Sequence, residues 1–436
     1  MSLTRDEIVA LDRAHVWHPY TPMDVYRGRD SLVISHAKGV YLTDINGQLY
    51  LDANSSWWVA SLGHGHPRLL RALTEQASRM AHCSLAGITH EPAAALASEL
   101  CDTTAGAYNH VFYTDNGSTA LEAAMKMALQ FWAQSGAPKK TRFVALDGAF
   151  HGDTLGVASL GGVEVFRKPF AGVLLDCFHA PTPEYASYTQ CFEAISAELR
   201  AHGDTIAAVV VEPMVQGANG MWMYPPELLR KLRAACTEHD VLLIVDEVFA
   251  GYGRTGRMWA SEHADIWGDI MCIGKTFASI LPMGALLTTA RVEHAFRGEA
   301  SRAFYYGHTF CGHPLGCHVA REVLAVMRDE NLVARAAAMQ QVLAPRFERL
   351  AGATGAAASR ALGAIAAIDL PATHAVGGYL GQVGWHVYEE ARRRGVYLRP
   401  LGNTVYVCPP LVSTDVEIAL LLDVVEESVL AVTGRS

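Results

Sequence analysis

The sequence predicts an α/β fold in which a mainly parallel sheet is covered by helices on both faces. Residues 206–212 (IAAVVVE) and 241–247 (VLLIVDE) are near-continuous apolar runs, the pattern of strands buried on both faces. Residues 226–239 between them have a helical pattern, and a helix is the usual crossover between parallel strands. We therefore expect a large domain of alternating strands and helices.

The remaining elements follow from the same patterns. After the Gly-Ser turn at 117–118, apolar residues recur at positions 121, 124, 125, 128, 129 and 132, which indicates an amphipathic helix. The other elements predicted are, in order, strands at 143–146 and 270–273, a loop at 351–359, a strand at 363–370, a helix at 382–394, a strand near Tyr406 and a final helix from about Asp415.

The length of 436 residues suffices for two or three domain-sized units. We interpret residues 61–330 as one large domain. Residues 1–60 and 331–436 are interpreted as the two parts of a small α+β domain, so that both ends of the chain meet beside the large domain.

The composition excludes two classes of protein. A formal net charge of −9 argues against a nucleic-acid binder, which needs a basic face. The longest stretches without charged residues, 303–320 and 370–388, contain Gly, Pro and His, so we expect no membrane span.

The N-terminus carries acids and no long apolar core, and the nine cysteines form no C-x-x-C pair. We therefore expect a cytoplasmic protein with reduced thiols.

Three motifs suggest other chemistry and are set aside. Residues 251–256 match G-x-G-x-x-G, but the preceding strand ends in two acids that would face a pyrophosphate. Residues 268–276 (GDIMCIGKT) have five residues, where a phosphate loop has four, between the first two glycines. His64 and His66 lie two residues apart with no carboxylate at ligand spacing, so we predict no metal site.

One set of residues suits pyridoxal phosphate. This cofactor needs an amine for a Schiff base, a carboxylate that keeps its pyridine nitrogen protonated, and amide donors for its phosphate. Lys275, Asp246 and the helix start at Gly117 and Ser118 could supply these groups. Because Lys275 follows an apolar run that should be buried, it must be paired, neutral or covalently used.

The chain resembles a known family, the class III aminotransferases of fold-type I, which use pyridoxal phosphate. The motifs that carry this resemblance are VDEVFAGYGRTG at 245–256, the IGK that ends at Lys275, DNGSTALEAAMKMA at 115–128 and GHTFCGHPLG at 307–316. Three further motifs are similar to those of the 7,8-diaminopelargonate synthases of biotin biosynthesis: HVWHPYTPM at 15–23, NSSWWVASLGHGHP at 54–67 and AGITHEPA at 86–93.

The resemblance implies a role for each matching residue around the cofactor. Lys275 becomes the Schiff-base and proton-shuttle residue, and Asp246 the partner of the pyridine nitrogen. The other cofactor-binding residues implied are Gly117, Ser118, Phe150, His151, Val248, His308 and Thr309. Thr309, on a loop within the charge-free stretch 303–320, would reach the cofactor phosphate of the neighbouring subunit, which makes the expected assembly a homodimer with shared sites.

The resemblance also implies the substrates, 7-keto-8-aminopelargonate as amino acceptor and S-adenosylmethionine as donor. Arg399 matches the arginine that holds the carboxylate of the keto acid, because a guanidinium fork suits a carboxylate. Tyr20 and Trp57 match an aromatic pair of the substrate pocket. The remaining substrate-binding residues implied are Trp58, Phe150, Asp153 and Gly307.

Several positions depart from the family pattern and leave the donor open. Phe150 stands where the family usually has Tyr, and His308 where the enzymes that use S-adenosylmethionine mostly have Pro. Residues 276–282 lack the usual Gly-Gly pair, and the loop at 158–170 is similar to generic ω-aminotransferases or to a lysine-using branch. The alternatives are therefore a lysine-dependent diaminopelargonate synthase, another class III aminotransferase acting on ω-amino acids or polyamines, and a catalytically silent binding protein.

Overall fold

The computed structural model describes residues 3–183, 187–371 and 378–434. Its α-helical segments are α1 Arg5–His15, α2 Met23–Gly28, α3 Ser55–Trp58, α4 Pro67–Arg79, α5 Glu91–Asp102, α6 Gly117–Gln134, α7 Leu155–Ala158, α8 Glu164–Arg167, α9 Tyr188–His202, α10 Pro226–Glu238, α11 Glu247–Ala250, α12 Ala290–His294, α13 Pro314–Asp329, α14 Leu332–Thr354, α15 Val383–Arg393 and α16 Asp415–Thr433. Short 3-10 turns lie at Lys168–Val173, Ala260–Ala264, Lys275–Phe277, Ala300–Arg302 and Gly378–Leu380.

The strands are β1 Ile34–Lys38, β2 Tyr41–Asp44, β3 Leu49–Asp52, β4 His110–Thr114, β5 Arg142–Leu146, β6 Cys177–Ala180, β7 Ile206–Val211, β8 Val215–Gln216, β9 Trp222–Met223, β10 Leu242–Asp246, β11 Ile270–Ile273, β12 Gly284–Thr288, β13 Ser359–Leu362, β14 Ile365–Asp369, β15 Val396–Tyr397 and β16 Thr404–Val407.

A seven-stranded sheet in the order β4-β12-β11-β10-β7-β5-β6 forms the centre of the molecule. Only β12 runs antiparallel to its two neighbours, β11 and β4. Every residue of β7, β10 and β11 is buried, as expected for strands covered on both faces. The prediction of a mainly parallel α/β sheet is therefore confirmed.

The helix α6 packs its apolar stripe against this sheet. Its stripe includes Leu121, Ala124, Met125 and Ala128, all buried. The helix contacts β12, β11, β7 and β4, so it lies across one face of the sheet. Its N-terminus is consequently fixed beside the carboxyl ends of the parallel strands.

Two smaller sheets are built from the ends of the chain. One has the order β1-β2-β3-β15, in which β15 joins β3 in parallel with Val396 opposite Leu51. The other has the order β13-β14-β16, and α14 packs on it. The N-terminal and C-terminal segments therefore share one sheet, while the proposed domain bounds at residues 60 and 330 remain a prediction.

Two predicted loops are partly helical. The prediction of a loop at 351–359 is wrong for its first four residues, because α14 continues to Thr354. The helix ends at Gly355, whose positive φ of 67° is typical of a helix C-terminus. The charge-free stretch 303–320 is a loop only as far as His313, since Pro314 starts α13.

Among the described residues, the structure contains no helix that is both long and apolar enough to cross a membrane.

Candidate active site

A cavity of about 660 Å³ opens at the carboxyl ends of the parallel strands. Asp246 ends β10, Glu212 directly follows β7, and Lys275 follows β11 by two residues. All three side chains line the cavity. Open α/β sheets place their ligand sites at this edge because polar side chains and loops meet there. The structure thus brings together the carboxylate and the amine that the sequence analysis selected.

One end of the cavity is the N-terminus of α6. Asn116 caps the helix by accepting from the Thr119 amide at 3.0 Å. In the described part of the chain, no acceptor is recorded for the amides of Gly117 and Ser118, and the first turn carries no acid. Free amides and the helix dipole both favour an anion at this position. This end of the cavity therefore suits a phosphate.

Gly117 is required by its close approach to Val248. A Cβ atom at position 117 would lie 2.7 Å from Val248 Cγ1, which is shorter than a van der Waals contact allows. Val248 lines the cavity next to Asp246. On the other side, the Asp153 amide donates to Ser118 Oγ at 3.3 Å. The predicted cofactor residues Gly117, Ser118 and Val248 thus form one continuous wall.

Asp246 is held in one orientation by two neighbours. Its Oδ2 lies 2.7 Å from His151 Nδ1, and its Oδ1 accepts from the Val248 amide at 3.1 Å. Asp246 is 4% exposed and His151 3% exposed. Although burial acts to lower it, the pKa of His151 is raised by the hydrogen bond and the charge of Asp246. The pair therefore fixes a carboxylate that can hold a protonated nitrogen.

Lys275 lies beside an aromatic ring and forms no ion pair in the described residues. Its Nζ is 5.0 Å from the centre of the Trp58 ring, and no carboxylate lies within salt-bridge distance among the described residues. Burial lowers the pKa of Lys275, while the charges of Asp246 and Glu212 act in the opposite direction. A lowered pKa increases the neutral fraction of an amine, and the neutral amine is the nucleophile.

Glu212 belongs to the site but was not selected from the sequence. Its two carboxylate oxygens accept from the amides of Phe150 and Gly217, both at 2.9 Å. Burial raises the pKa of Glu212 to about 7. The signal was present in the sequence, because Glu212 directly follows the apolar residues of the run 206–212, as Asp246 follows those of the run 241–247.

The backbone is left-handed at Lys275 and again at Ser279. Lys275 has φ 49° and Ser279 has φ 52°, and the cavity wall continues through residues 278–283. A left-handed backbone costs a non-glycine residue about 1–2 kcal/mol. Ser279 lies in the stretch 276–282 that replaces the Gly-Gly pair, so the chain makes this turn without glycine.

A second cavity of about 300 Å³, the substrate chamber, adjoins the first. Lys275 and Phe150 line both cavities, so the chamber opens directly onto the amine. The chamber is further lined by Tyr20, Trp57, Trp58, Val59, Ser118, Asp153, Phe166, Ala218, Tyr379, Arg399 and Leu401. Five of the predicted substrate-binding residues besides Phe150 are therefore gathered there: Tyr20, Trp57, Trp58, Asp153 and Arg399.

Tyr20 is the centre of an aromatic cluster in the chamber. Its ring centre lies 5.5 Å from that of Trp57, 5.1 Å from Phe166 and 6.5 Å from Phe150, each in edge-to-face geometry. Its hydroxyl donates to Asp153. Burial and this hydrogen bond raise the pKa of Tyr20, so the hydroxyl stays protonated at neutral pH.

Phe166 and Tyr379 are chamber residues that the sequence analysis missed. Their rings meet edge to face at 4.8 Å. Phe166 lies on α8, within the stretch 158–170 that was expected to be a loop and was noted only for its departure from the family. Tyr379 lies in no motif, and its position follows from tertiary packing.

A left-handed turn presents Trp57 and Trp58 to the two cavities. The four residues of α3, Ser55–Trp58, have φ between 44° and 73°. Such a turn is strained for residues with side chains, and strained backbone often accompanies ligand sites. Arg254 donates to Ser55 Oγ in the turn at 3.5 Å, and to Ser61 Oγ and the Pro409 carbonyl, both at 2.7 Å. The tryptophans are thus fixed by the backbone.

Arg399 presents an unpaired charge to the chamber. Its guanidinium carbon lies 4.8 Å from the centre of the Trp57 ring and 5.8 Å from that of Trp385. Its backbone amide donates to Asn54 Oδ1 at 2.6 Å. Among the described residues, no carboxylate lies within salt-bridge distance of Arg399. A chamber with an amine at Lys275 and a free guanidinium at Arg399 suits a substrate that carries a carboxylate.

Three predicted site residues lie outside both cavities of their own chain. Gly307 and Thr309 are exposed on the loop that precedes α13. His308 Nδ1 lies 2.9 Å from Asp115 Oδ2, and the His308 amide donates to Cys311 Sγ at 3.1 Å. These contacts shape the loop, while the predicted role at a neighbouring subunit remains untested.

The histidines and one acid of the motifs that were set aside have polar partners elsewhere in the chain. His64 Nε2 lies 2.9 Å from Asp52 Oδ2, and His66 Nε2 lies 3.3 Å from Glu330 Oε1, so the two histidines pair with different acids. The carboxylate of Glu247 accepts from two backbone amides and one hydroxyl of residues 260–261. Glu247 therefore anchors the segment after residue 251 and does not enter the cavity.

The residues present fit pyridoxal phosphate. The free amides at the start of α6 suit its phosphate, and the fixed Asp246 suits its ring nitrogen. Lys275 suits its aldehyde. In addition, His151 Nε2 is buried and lacks a hydrogen-bond partner in the described residues, as expected beside a group that fills the cavity.

Comparisons with known proteins agree with this site. The family model of the class-III aminotransferases matches residues 25–429. Adenosylmethionine-8-amino-7-oxononanoate aminotransferases of Geobacter sulfurreducens and Mycobacterium leprae are each 38% identical to this chain; coverage is 97% of both chains for the first, and 98% of this chain and 97% of the relative for the second.

Solved structures agree as well. The enzyme of that name from Methanocaldococcus jannaschii matches with a TM-score of 0.92 at 32% identity, covering 98% of this chain and 99% of the other. An amine transaminase from an uncultivated Pseudomonas species, solved in its PLP-bound form, matches with a TM-score of 0.91 at 31% identity, covering 96% and 98%.

These matches extend over nearly the whole chain, so they include the strands, the helix start and the cavity described above. The fold is that of the fold-type I enzymes, and the predictions of an enzyme and of its cofactor are confirmed. The chain belongs to the class III aminotransferases and is a pyridoxal-phosphate-dependent aminotransferase.

Proposed function

We propose that this aminotransferase moves the amino group of S-adenosylmethionine onto the ketone of 7-keto-8-aminopelargonate, which yields 7,8-diaminopelargonate for biotin synthesis. The observation that carries the proposal is the free guanidinium of Arg399 in the same chamber as Lys275. The printed names of the relatives, aligned over nearly their full length, support the same pair of substrates.

Bound pyridoxal phosphate supplies an electron sink that stabilises negative charge on the substrate carbon next to the nitrogen. In this proposal, Gly117 and Ser118 hold its phosphate and Asp246 holds its ring nitrogen. His151 orients Asp246 through their 2.7 Å contact. Val248 and Phe150 confine the ring from the cavity wall.

Lys275 carries out the proton transfer in this proposal. Its Nζ would hold the cofactor when it is bound, and as a neutral amine it would take a proton from the substrate carbon and return one to the substrate–cofactor pair. The transfer needs an amine that is neutral near pH 7, which is the direction in which burial shifts the pKa of Lys275. The Trp58 ring at 5.0 Å limits the access of water to Nζ.

Arg399 and the aromatic cluster select the acceptor. The guanidinium fork binds the carboxylate of the keto acid, and Trp57 at 4.8 Å keeps the fork in place. The apolar walls of the chamber accept the methylene chain between carboxylate and ketone. A substrate held at Arg399 by one end therefore presents its other end to Lys275.

The donor is selected by the outer aromatic rings in the proposal. Tyr20 and Trp57 offer aromatic rings against which an adenine ring can pack by its face or its edge. Asp153 lies beside Tyr20. A lysine donor would gain little from this aromatic surface. The geometry therefore supports S-adenosylmethionine over lysine.

The proposal includes a homodimer in which Gly307, His308 and Thr309 serve the cofactor site of the partner subunit. Thr309 is exposed, and the same loop exposes Tyr305 at 77% and Phe310 at 56%. Large apolar side chains that are exposed together indicate an interaction surface. A cytoplasmic location is also proposed, and it is supported by the nine cysteines, all of which are free thiols.

The donor is tested by single half-reactions. The purified holoenzyme is mixed separately with S-adenosylmethionine, lysine and β-alanine, and its visible absorbance is followed. We expect only S-adenosylmethionine to convert the cofactor fully to pyridoxamine phosphate. Conversion by lysine alone would assign the lysine-using alternative, and conversion by β-alanine would assign an ω-amino acid aminotransferase.

The acceptor is tested with the enzyme in the pyridoxamine form. Adding 7-keto-8-aminopelargonate should restore the visible absorbance, and mass spectrometry should detect 7,8-diaminopelargonate. A pyridoxamine enzyme that reacts with pyruvate but not with this keto acid would contradict the proposal.

A further inference from the structure

A third cavity, of about 200 Å³, lies on the outer side of the substrate chamber and is here called the outer pocket. Tyr20 and Arg399 line both the chamber and the outer pocket, so the two spaces share a wall. The outer pocket is enclosed by residues 18–32 of the N-terminal segment and by residues 382–399, which include α15. No role assigned above uses this space.

The charges around the outer pocket do not balance. It is lined by three arginines, Arg29, Arg392 and Arg399, and by two acids, Asp30 and Glu389. Both acids pair with Arg392, at 2.7 Å and 3.9 Å. In the described residues, Arg29 has no carboxylate within salt-bridge distance, and neither has Arg399. Two guanidinium groups on this wall therefore lack an anion.

Trp385 links the two unpaired arginines. The guanidinium carbon of Arg29 lies 4.5 Å from the centre of its ring, and that of Arg399 lies 5.8 Å from it. The indole attracts each cation, but it cannot neutralise them. Two like charges beside the same ring repel one another, and a bound anion reduces this repulsion. The arrangement thus favours a negatively charged ligand.

Neutral hydroxyl donors complete the lining. Burial raises the pKa of Tyr388 to about 12, so its hydroxyl is protonated at neutral pH. Tyr388 packs edge to face on Trp385 at 5.6 Å and on Tyr397 at 6.0 Å. Burial also raises the pKa of Tyr397. Guanidinium and phenol donors together are suited to the oxygens of a carboxylate.

We propose that the outer pocket is a carboxylate-binding site, in which Arg29 captures the carboxylate of the incoming keto acid and passes it to Arg399. The second part of this inference rests on the proposed function, because it takes Arg399 as the final receptor. The capture is an electrostatic step that accelerates the association of the acceptor through its carboxylate. S-adenosylmethionine also carries a carboxylate, but its ammonium and sulfonium groups make it a net cation, so Arg29 does not accelerate its association.

The test compares Arg29→Gln with the matched control Arg27→Gln. Arg27 is in the last turn of α2, two residues before Arg29, and is exposed, but it pairs with Asp24 at 3.5 Å and lies outside the outer pocket. For Arg29→Gln we expect kcat/KM for 7-keto-8-aminopelargonate to fall about tenfold at low salt, with kcat and the donor half-reaction unchanged. Arg29→Lys should recover part of the loss, and Arg27→Gln should behave as the wild type.

Ionic strength gives a second readout. The wild-type kcat/KM for the keto acid should fall as salt is added, whereas that of Arg29→Gln should change little. Equal salt dependence in both proteins, or an equal loss in both half-reactions, would overturn the capture role.

Binding of pelargonate to the holoenzyme separates this inference from the proposed function. Pelargonate is a straight-chain carboxylate of the same chain length, and its binding can be measured by calorimetry whichever acceptor the enzyme uses. Its Kd should rise about tenfold in Arg29→Gln and stay constant in Arg27→Gln, while nonylamine should not bind at this site. No detectable binding of pelargonate to the wild type, or equal binding in both variants, would contradict a carboxylate site even if the keto acid proves to be the acceptor.

Discussion

The cofactor end and the substrate end of the active site are built differently. The cofactor end uses Asp246, the last residue of β10, and Lys275, two residues after the neighbouring strand β11. The substrate end uses Tyr20, Trp57 and Arg399, which come from the two ends of the chain. The hydrogen bond from the Arg399 amide to Asn54 joins residues 345 positions apart.

The two ends also differ in exposure and charge balance. Asp246 is 4% exposed and has its partner in His151, whereas Trp57 is 38% exposed and Arg399 has no acidic partner in the described residues. In the proposed function, the buried end performs the chemistry that all substrates share. The open end distinguishes one substrate from another, so changes there should alter one half-reaction at a time.

The largest effect is expected at the centre of the cofactor end. Lys275→Ala removes the amine that attaches the cofactor and moves the proton, so turnover should fall about ten-thousand-fold with both donor and acceptor. The visible absorbance of the purified protein should also be lost. Lys139→Ala, at an exposed lysine, is the control, and a Lys275→Ala protein that kept either property would end this assignment.

A smaller and one-sided effect is expected at the substrate end. Arg399→Gln removes a charged hydrogen bond worth about 1.5–3 kcal/mol, so KM for the keto acid should rise about tenfold to hundredfold. The donor half-reaction, measured by stopped-flow absorbance, should be nearly unchanged. An equal loss in both half-reactions would show that Arg399 acts on the cofactor end instead.

Phe150 tests the boundary between the two ends, because it lines both cavities. Phe150→Tyr restores the hydroxyl that the family usually has, and one new hydrogen bond to substrate should raise kcat/KM about twofold to tenfold. Phe192→Tyr on α9, which lines neither cavity, is the control. A fall in kcat/KM would mean that the chamber has adapted to the smaller ring.

The remaining effect is on stability and not on turnover, and it concerns the pH dependence at Glu212. Burial raises the pKa of Glu212 from an ordinary value of 4.5 to about 7. Below pH 4.5 the carboxyl is protonated in both folded and unfolded chains, and its contribution is fully present. Between pH 4.5 and 7 the unfolded chain releases the proton first, so the free energy of unfolding falls as pH rises.

The measurement compares the Tm of the apoenzyme with that of Glu212→Gln from pH 5 to pH 8. The wild type should lose stability relative to the variant up to about pH 7, and the difference should be constant above it. The exposed Glu164→Gln is the control. A difference that does not change with pH would show that Glu212 is ionised throughout.

The sequence predicted the cofactor end better than the substrate end, for a physical reason. The strands that carry Asp246 and Lys275 and the start of α6 are local patterns, so their chemistry could be inferred from periodicity and spacing. Glu212 could have been selected by the same rule. The residues that gather around Tyr20 do so through tertiary contacts, and only the resemblance to a family indicated them.

Two features of the substrate end had no local signal. Tyr379 and Phe166 meet only because segments far apart in the chain pack together. The left-handed backbone at Ser55–Trp58 contradicts the conformational preference of its residues, and its tertiary contacts include the hydrogen bond from Arg254 to Ser55. Loop ends were the least accurate local predictions, as the continuation of α14 to Thr354 shows.

The parallel pairing of β3 with β15 has a consequence for synthesis of the chain on the ribosome. All strands of the central sheet lie between residues 110 and 288, so this sheet can form before the last third of the chain exists. Arg399 reaches the site only after β15 has been made and has joined β3. Until then, the chain holds Asp246 and Lys275 without the guanidinium that the proposed function assigns to the acceptor.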